Sequence, residues 1–226
     1  IMNYTTKQIA EITQSQLIGN PDLLVKNIAF DSRNIYSTQN TAFLALTTEK
    51  NSGQKYIASA IEKGIELIIT ERPPTIEDHI TYIVTENGLD FIQKLAKYHL
   101  NQFPDLKTIG ITGSNGKTVV KEWLYQSLNE DFSVVKSPKS FNSQLGLPLS
   151  LLQITDKNEI GIFEVGISKP HEMQKLESIF SPKIGILTHI GTAHLSNFEN
   201  ENQLIDEKLK LFDNTDLIFY NGDLQI

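Results

Sequence analysis

Cysteine is absent from the 226 residues, which excludes a disulfide framework and any thiolate metal site. Long apolar runs are absent too: none approaches the roughly 18 residues that a bilayer-spanning helix needs. The opening residues, Ile1 to Gln8, contain no basic segment leading into an apolar one, so no export signal is read there. Positive charge is scarce and scattered. Lys and Arg number 20 against 27 Asp and Glu, a formal net charge of -7, and they stand singly rather than in a stripe that could follow a nucleic-acid backbone. These absences argue against nucleic acid and membrane as partners and lead us to expect a cytoplasmic protein. Any phosphate it binds must be held locally.

What is present is ordinary for a globular chain, 39% apolar and 21% charged, enough for one large domain or two smaller ones. In the first hundred residues, β-like runs at Val25–Phe30, Thr41–Leu46, Ile65–Thr70 and Thr81–Thr85 alternate with helical spacing at Ile9, Ile12 and Thr13 and at Tyr56, Ile57, Ala60 and Ile61. A further helical face, Phe91, Ile92, Leu95 and Tyr98, runs toward Pro104, which a helix cannot continue through. The expected division is a small α/β domain over 1–104 and a second domain over 105–226. In the second, strands at Thr108–Thr112, Ser133–Lys136, Glu159–Val165, Lys183–Ile190 and Leu217–Tyr220 alternate with helices, the signature of a parallel sheet covered on both faces.

The stretch from Thr108 to Thr118, TIGITGSNGKT, reads as a buried strand, a glycine turn and a helix start. That context suits a phosphate loop, whose backbone N–H groups wrap an anion at the positive end of a helix. Gly113, Ser114, Asn115 and Gly116 would then cradle phosphates, Lys117 would reach the β- and γ-phosphates of ATP, and the Thr118 hydroxyl would help hold Mg²⁺. The commonest version of this loop has glycine where Ile111 stands. An ordinary glycine-rich strand-to-helix turn is the plain alternative.

Ligands of open parallel sheets gather outside the carboxyl ends of the strands, and Glu164, His189 and His194 stand at or beyond such ends. Glu164 beside a triphosphate is a natural Mg²⁺ partner and His194 a second one, although a solvated strand end and hydrogen-bonded loop histidines are the simpler readings. Lys208 carries a separate signal. With Glu201–Phe212 drawn as a helix at about 100° per residue, Leu204, Ile205, Leu209, Leu211 and Phe212 share one arc with Lys208 in its middle. The amine either snorkels out of that face or sits in a partly desolvated site where its pKa falls and the neutral form can react.

In order and spacing, Gly110 to Thr118, Asn142-Ser-Gln-Leu-Gly-Leu-Pro148, Glu164-Val-Gly166, Thr188-His-Ile-Gly-Thr-Ala-His-Leu195 and Glu207-Lys-Leu-Lys-Leu-Phe212 resemble the central domain of the Mur ligases. Asp31-Ser-Arg33, Phe43-Leu-Ala-Leu46 and Gly53-Gln-Lys-Tyr-Ile57 resemble the UDP-binding domain of the later ligases of that pathway. The resemblance implies amide synthesis: ATP phosphorylates a carboxylate and an amine attacks the acyl phosphate. It also implies Lys117, His194 and Lys208 as catalytic groups, Thr118, Glu164 and His194 as metal ligands, and Lys208 as a carbamylated lysine. Asn142 would touch the muramoyl substrate, with Ser32 and Arg33 near the UDP moiety. The Asn142–Pro148 stretch and Lys169-Pro170-His-Glu-Met173 are similar to members that add D-alanyl-D-alanine to UDP-N-acetylmuramoyl tripeptide. Ser143, His189 and Thr47-Thr48 depart from residues common in the family.

Such ligases carry a third domain that closes over the nucleotide and receives the amine, so the resemblance implies a chain with an incomplete central domain and that partner domain missing. It would fold and bind ligand but not ligate. Some relatives are fused to an alanine racemase, a chemistry that no residue here supports. Three other readings remain open: another Mur ligase, one that adds the third residue of the peptide; a folylpolyglutamate synthetase-like ligase, which lacks a separate first domain of about 100 residues; and a non-enzymatic nucleotide-binding module, which has no use for a buried reactive lysine.

Overall fold

The computed structural model describes residues 2–35, 37–48, 51–73, 75–191 and 195–223. The chain divides into two compact units, Ile1–Tyr98 and His99–Ile226. No helix among the described residues is long and apolar enough to cross a membrane.

The first unit opens with β1 (Tyr4–Thr5), α1 (Thr6–Thr13), β2 (Gln16–Ile18), β3 (Leu24–Val25) and β4 (Asn27–Ala29). Thr5 and Gln8 close a reciprocal capping box on α1, satisfying two helix-end donors at once. The run expected as one strand over Val25–Phe30 is broken. Its first part pairs with β1, its second with β5 (Thr41–Ala45), and at the break the N–H groups of Lys26 and Asn27 both donate to the carbonyl of Asn40, at 2.8 and 3.1 Å. A two-residue ladder of β6 (Thr47–Thr48) and β7 (Asn51–Ser52) follows, then α2 (Ile57–Glu62), β8 (Leu67–Thr70), β9 (Thr81–Val84) and α3 (Gly88–Leu100).

The main sheet of this unit has the order β2-β9-β8-β5-β4, parallel throughout except for β2 at one edge. Strands buried on both faces lose hydrophobic alternation, and β5 (TAFLA) and β8 (LIIT) are buried at every residue. Phe43, Ile57, Ala60, Ile65, Ile68 and Tyr82 form the core between sheet and α2.

The second unit contains β10 (Lys107–Thr112), α4 (Lys117–Leu128), β11 (Val134–Lys136), α5 (Gly146–Leu151), β12 (Ile160–Glu164), α6 (Glu172–Ile179), β13 (Ile184–Leu187), α7 (Glu201–Leu209) and β14 (Leu217–Tyr220). All five strands are parallel, in the order β11-β12-β10-β13-β14. β10 is therefore central, with the ends of β12 and β13 on either side of its own. The registers place Glu164 opposite Ile111 and Leu187 opposite Thr112. Ile109, Ile111, Ile160 and Ile162 of the sheet pack against Val120 and Leu124 of α4.

Strand β13 stops at Leu187, short of the expected Ile190: the N–H of Thr188 still reaches the carbonyl of Thr112 at the end of β10, and from there the chain bonds to the glycine turn. The Thr188 hydroxyl donates to the carbonyl of Asn115 at 2.7 Å, and the N–H of Ser114 donates to the carbonyl of His189 at 2.8 Å.

Candidate active site

The turn between β10 and α4 is built by two glycines with positive φ, Gly113 at 144° and Gly116 at 83°. A Cβ on Gly113 would lie 2.0 Å from the Thr188 hydroxyl oxygen, whereas one on Gly116 would find open space until Thr188 Cβ at 4.0 Å. Gly113 is thus required by packing as well as by backbone conformation, and Gly116 by conformation alone. Gly116 is the N-cap of α4 and supplies no side-chain cap. The orphan N–H groups and the positive dipole end of a twelve-residue helix consequently face the turn, the arrangement that favours an anion.

Lys117 folds back over this turn, donating to the carbonyl of Gly113 at 2.7 Å. Burial pushes its pKa down, with Glu164 working in the opposite direction. Lys208, 2% exposed, approaches the same carbonyl at 3.3 Å. Burial and then the neighbouring Lys117 charge bring its pKa from 10.5 down to about 8. Two amines thus converge on one oxygen in a poorly hydrated corner, and a second, anionic partner would relieve their repulsion.

The placement of Lys208 has its own support. Glu207, buried beside it, accepts the N–H of Met173 at 3.1 Å and an ion pair from Lys210 at 2.6 Å. It thereby supplies the start of α6 with the acceptor that its N-cap residue, His171, does not. After α7 the chain tightens into a short 3₁₀ turn whose Phe212 ring rests on the sheet at Gly185, where a Cβ would come within 2.5 Å of the ring. A glycine in β13 therefore lets the helix carrying Lys208 lie close to the strand ends.

Glu164 is fully buried. Its Oε2 accepts from the Thr118 hydroxyl at 3.1 Å and from Asn142 Nδ2 at 3.4 Å, while Oε1 forms an ion pair with Lys121 at 2.9 Å. Thr118 also lies 3.2 Å from the hydroxyl of Ser140. Among the described residues no three His, Asp or Glu side chains gather to hold a metal by themselves. One carboxylate oxygen and one hydroxyl at the foot of an anion cradle are instead what a Mg²⁺ ion carried by phosphates requires, since that ion takes few protein ligands and keeps hard oxygen donors.

Of the residues singled out in the sequence, Gly113, Ser114, Asn115, Gly116, Lys117, Thr118, Asn142, Glu164 and Lys208 occupy these linked strand ends. His194 lies outside the described residues. Ser32 and Arg33 belong to the first unit, in a short 3₁₀ turn capped by Asp31. Ser32 is buried and its carbonyl accepts from Lys63. Arg33 pairs with Asp31 at 2.8 Å and is 86% exposed, and its hydrogen bonds hold the Asp31 carboxyl below its usual range.

Lys121 was not legible as a site residue. It is fully buried and ion-paired with Glu164, and the signal that could have found it is the one that marked Lys208: a lysine on the inward face of a helix, here one turn beyond Lys117 and beside Val120 and Leu124.

Comparison with known proteins bears on the same region. Residues 111–225 match the model of the Mur ligase middle domain. The UDP-N-acetylmuramoyl-tripeptide--D-alanyl-D-alanine ligase of Treponema pallidum (strain Nichols) is 32% identical over 194 residues, covering 82% of this chain and 42% of that protein. A crystal structure of MurF from Acinetobacter baumannii superposes with a TM-score of 0.84 at 29% identity, covering 93% of this chain and 46% of that one. MurF ligase from Thermotoga maritima in complex with ADP superposes with a TM-score of 0.75 at 29% identity, covering 88% and 46%. The chain therefore spans less than half the length of each.

Proposed function

The chain belongs to the Mur ligase family, and from that premise we propose that it is the nucleotide- and UDP-substrate-binding portion of an ATP-dependent ligase that joins D-alanyl-D-alanine to UDP-N-acetylmuramoyl tripeptide. The choice of substrate rests on the similarity to ligases named for that reaction and on the Asn142–Pro148 stretch. The observation that carries the chemistry is the convergence at adjacent strand ends of a glycine turn, two amines sharing the Gly113 carbonyl, and a buried carboxylate bonded to the Thr118 hydroxyl.

A carboxylate oxygen is a poor leaving group at neutral pH, so amide formation needs activation. Transfer of the γ-phosphoryl group of ATP to the terminal carboxylate of the tripeptide gives an acyl phosphate. The amine of D-alanyl-D-alanine then attacks the acyl carbon, phosphate leaves with the former carboxylate oxygen, and one proton is released from nitrogen. The work of the residues here is positioning and charge stabilisation. The orphan N–H groups at the start of α4, those of Lys117 and Thr118, orient the phosphates, while the N–H groups of Ser114 and Asn115 stay on the carbonyl of His189, and Lys117 exchanges the carbonyls it now caps for phosphate oxygens. Thr118 and Glu164 would hold Mg²⁺, which supplies neutralisation of phosphate charge when bound.

Lys208 fits the role of a carbamylated lysine. With its pKa near 8, a usable fraction of the amine is neutral at physiological pH. Addition of that nitrogen to carbon dioxide with loss of a proton would turn the cation into an anion beside Lys117. In the first unit, Ser32 and Arg33 are assigned to the UDP moiety; in the second, Asn142 is assigned to the muramoyl group and His194 to a second metal ion.

Calorimetric titration of the 226-residue chain with UDP-N-acetylmuramoyl tripeptide tests the assignment. The wild type is expected to bind, and Ser32→Ala/Arg33→Ala to bind much more weakly. A wild type that takes up no UDP-muramoyl ligand, or a double variant that binds equally well, removes the substrate assignment.

A further inference from the structure

Lys121 makes more polar contacts than any role in helix packing requires. Its side chain is fully buried, yet Nζ meets four oxygens: Glu164 Oε1 at 2.9 Å, the carbonyl of Ser137 at 2.9 Å, the carbonyl of Lys139, and Glu122 Oε1 at 3.3 Å. Glu122 in turn pairs with Lys136, whose ammonium lies 3.9 Å from the centre of the Tyr125 ring. A buried ion pair is a poor source of stability, because desolvating both charges offsets most of their attraction and an apolar pair would pack as well. What such a pair does supply is a fixed geometry.

That geometry concerns two elements at once. Lys121 draws Oε1 of Glu164 toward α4, which leaves Oε2 facing the Thr118 hydroxyl. It also gathers the segment after β11. Ser137 accepts the N–H of Glu164 through its own hydroxyl at 3.1 Å, Lys139 adopts a positive φ of 49°, and the chain then delivers Ser140 and Asn142 to Thr118 and Glu164. Removal of one cation would release the carboxylate and the turn together.

We propose that Lys121 is a positioning residue for the metal-nucleotide site: it pins one oxygen of Glu164 so that the other is presented beside Thr118, and it folds the 137–142 segment against them. The proposal rests on the reading of Glu164 as a Mg²⁺ ligand. Lys121 touches neither nucleotide nor metal.

The test uses ADP as the probe and compares its affinity for the 226-residue chain in excess EDTA and in excess Mg²⁺, by calorimetry. In the wild type, Mg²⁺ tightens ADP binding, and Glu164→Gln abolishes that gain. Lys121→Met is expected to lose about tenfold of the Mg²⁺-dependent gain, the scale at which supporting partners of metal ligands act, while its affinity in EDTA stays within about twofold of wild type, because backbone N–H groups and Lys117 remain. If Lys121→Met does not fold, Lys121→Gln, which keeps a donor without the charge, is read in its place against the same expectation.

A lysine variant that retains the full Mg²⁺ gain, with Glu164→Gln losing it, overturns the positioning role and leaves the Glu164 reading standing. A lysine variant that loses affinity equally with and without Mg²⁺ shows a merely structural residue and also overturns it. Retention of the gain in Glu164→Gln, or no ADP binding by the wild type, removes the reading itself and the proposal with it.

Discussion

Lys117 and Lys208 direct their ammonium groups at one oxygen, the carbonyl of Gly113, from 2.7 and 3.3 Å. They come from the first turn of α4 and the last turn of α7, with the glycine turn between them. Nothing in the local sequence of either helix requires the meeting. It follows from β10 being central in the sheet, so that α4, which begins beyond β10, and α7, which leads out of the β13 side, reach the same edge.

This arrangement predicts a pH-dependent stability that belongs to Lys208. The pKa falls from 10.5 to about 8 on folding, so below pH 8 the folded chain holds an ammonium in a site that disfavours it, at a cost on the order of 3 kcal/mol. Between pH 8 and 10.5 the unfolded chain keeps a proton that the folded chain has released, and stability rises with pH. Lys208→Met lacks this group. In urea titrations the variant should be the more stable protein at pH 7, by up to about 3 kcal/mol, and its advantage should shrink steadily as pH approaches 10.5. A constant difference across that range contradicts the assignment.

The two glycines of the turn should respond differently to alanine. Gly116→Ala meets open space and suffers only the left-handed backbone, about 1 kcal/mol. Gly113→Ala adds a collision with the Thr188 hydroxyl at 2.0 Å, which raises the expected cost to about 3 kcal/mol. Thermal melts of the two variants side by side give the comparison; equal losses would mean that the contact relaxes freely.

Thr118→Val keeps the shape of the side chain and removes its hydroxyl. The lost bond to Glu164 should cost about 1 kcal/mol of stability. ADP binding in EDTA should change little, since the N–H cradle is intact, while tightening by Mg²⁺ should be lost. Calorimetry with and without the metal separates the two effects, and unaltered Mg²⁺ dependence would exclude the hydroxyl from the metal site.

Arg33→Ala isolates the first unit. Its guanidinium is almost wholly in solvent and pairs only with its neighbour Asp31 among the contacts described above, an arrangement that contributes little to folding. The melting temperature should stay close to wild type while affinity for the UDP-muramoyl ligand falls. A large drop in melting temperature would point to a structural role instead.

The glycine turn was readable because its strand, glycines and helix are contiguous, and the burial of Lys208 because helical period alone placed it among Leu204, Leu211 and Phe212. Glu164 could be placed at a strand end, but nothing local distinguished a buried carboxylate from a solvated one; its burial follows from the partners Lys121, Thr118 and Asn142, which come from elsewhere in the chain. The two-residue ladders β1–β3 and β6–β7 are too short to show alternation. The end of β13 depends on hydrogen bonds to Asn115 and Ser114, and the break at Lys26 on the carbonyl of Asn40. Glu207 carries no local signal of its burial, because its role as acceptor for the start of α6 is visible only when both helices are in place.

Thr188 joins its N–H to the carbonyl of Thr112 at 2.9 Å and its hydroxyl to that of Asn115, one before and one within the glycine turn. The curvature of the glycine turn is therefore borrowed from the residue that follows a neighbouring strand and contributes nothing to the turn's own peptide. Transplanting the stretch from Gly110 to Thr118 into a foreign sheet would carry the signature without the shape, and a lesion at Thr188, far along the chain, would be felt first as a loosened glycine turn.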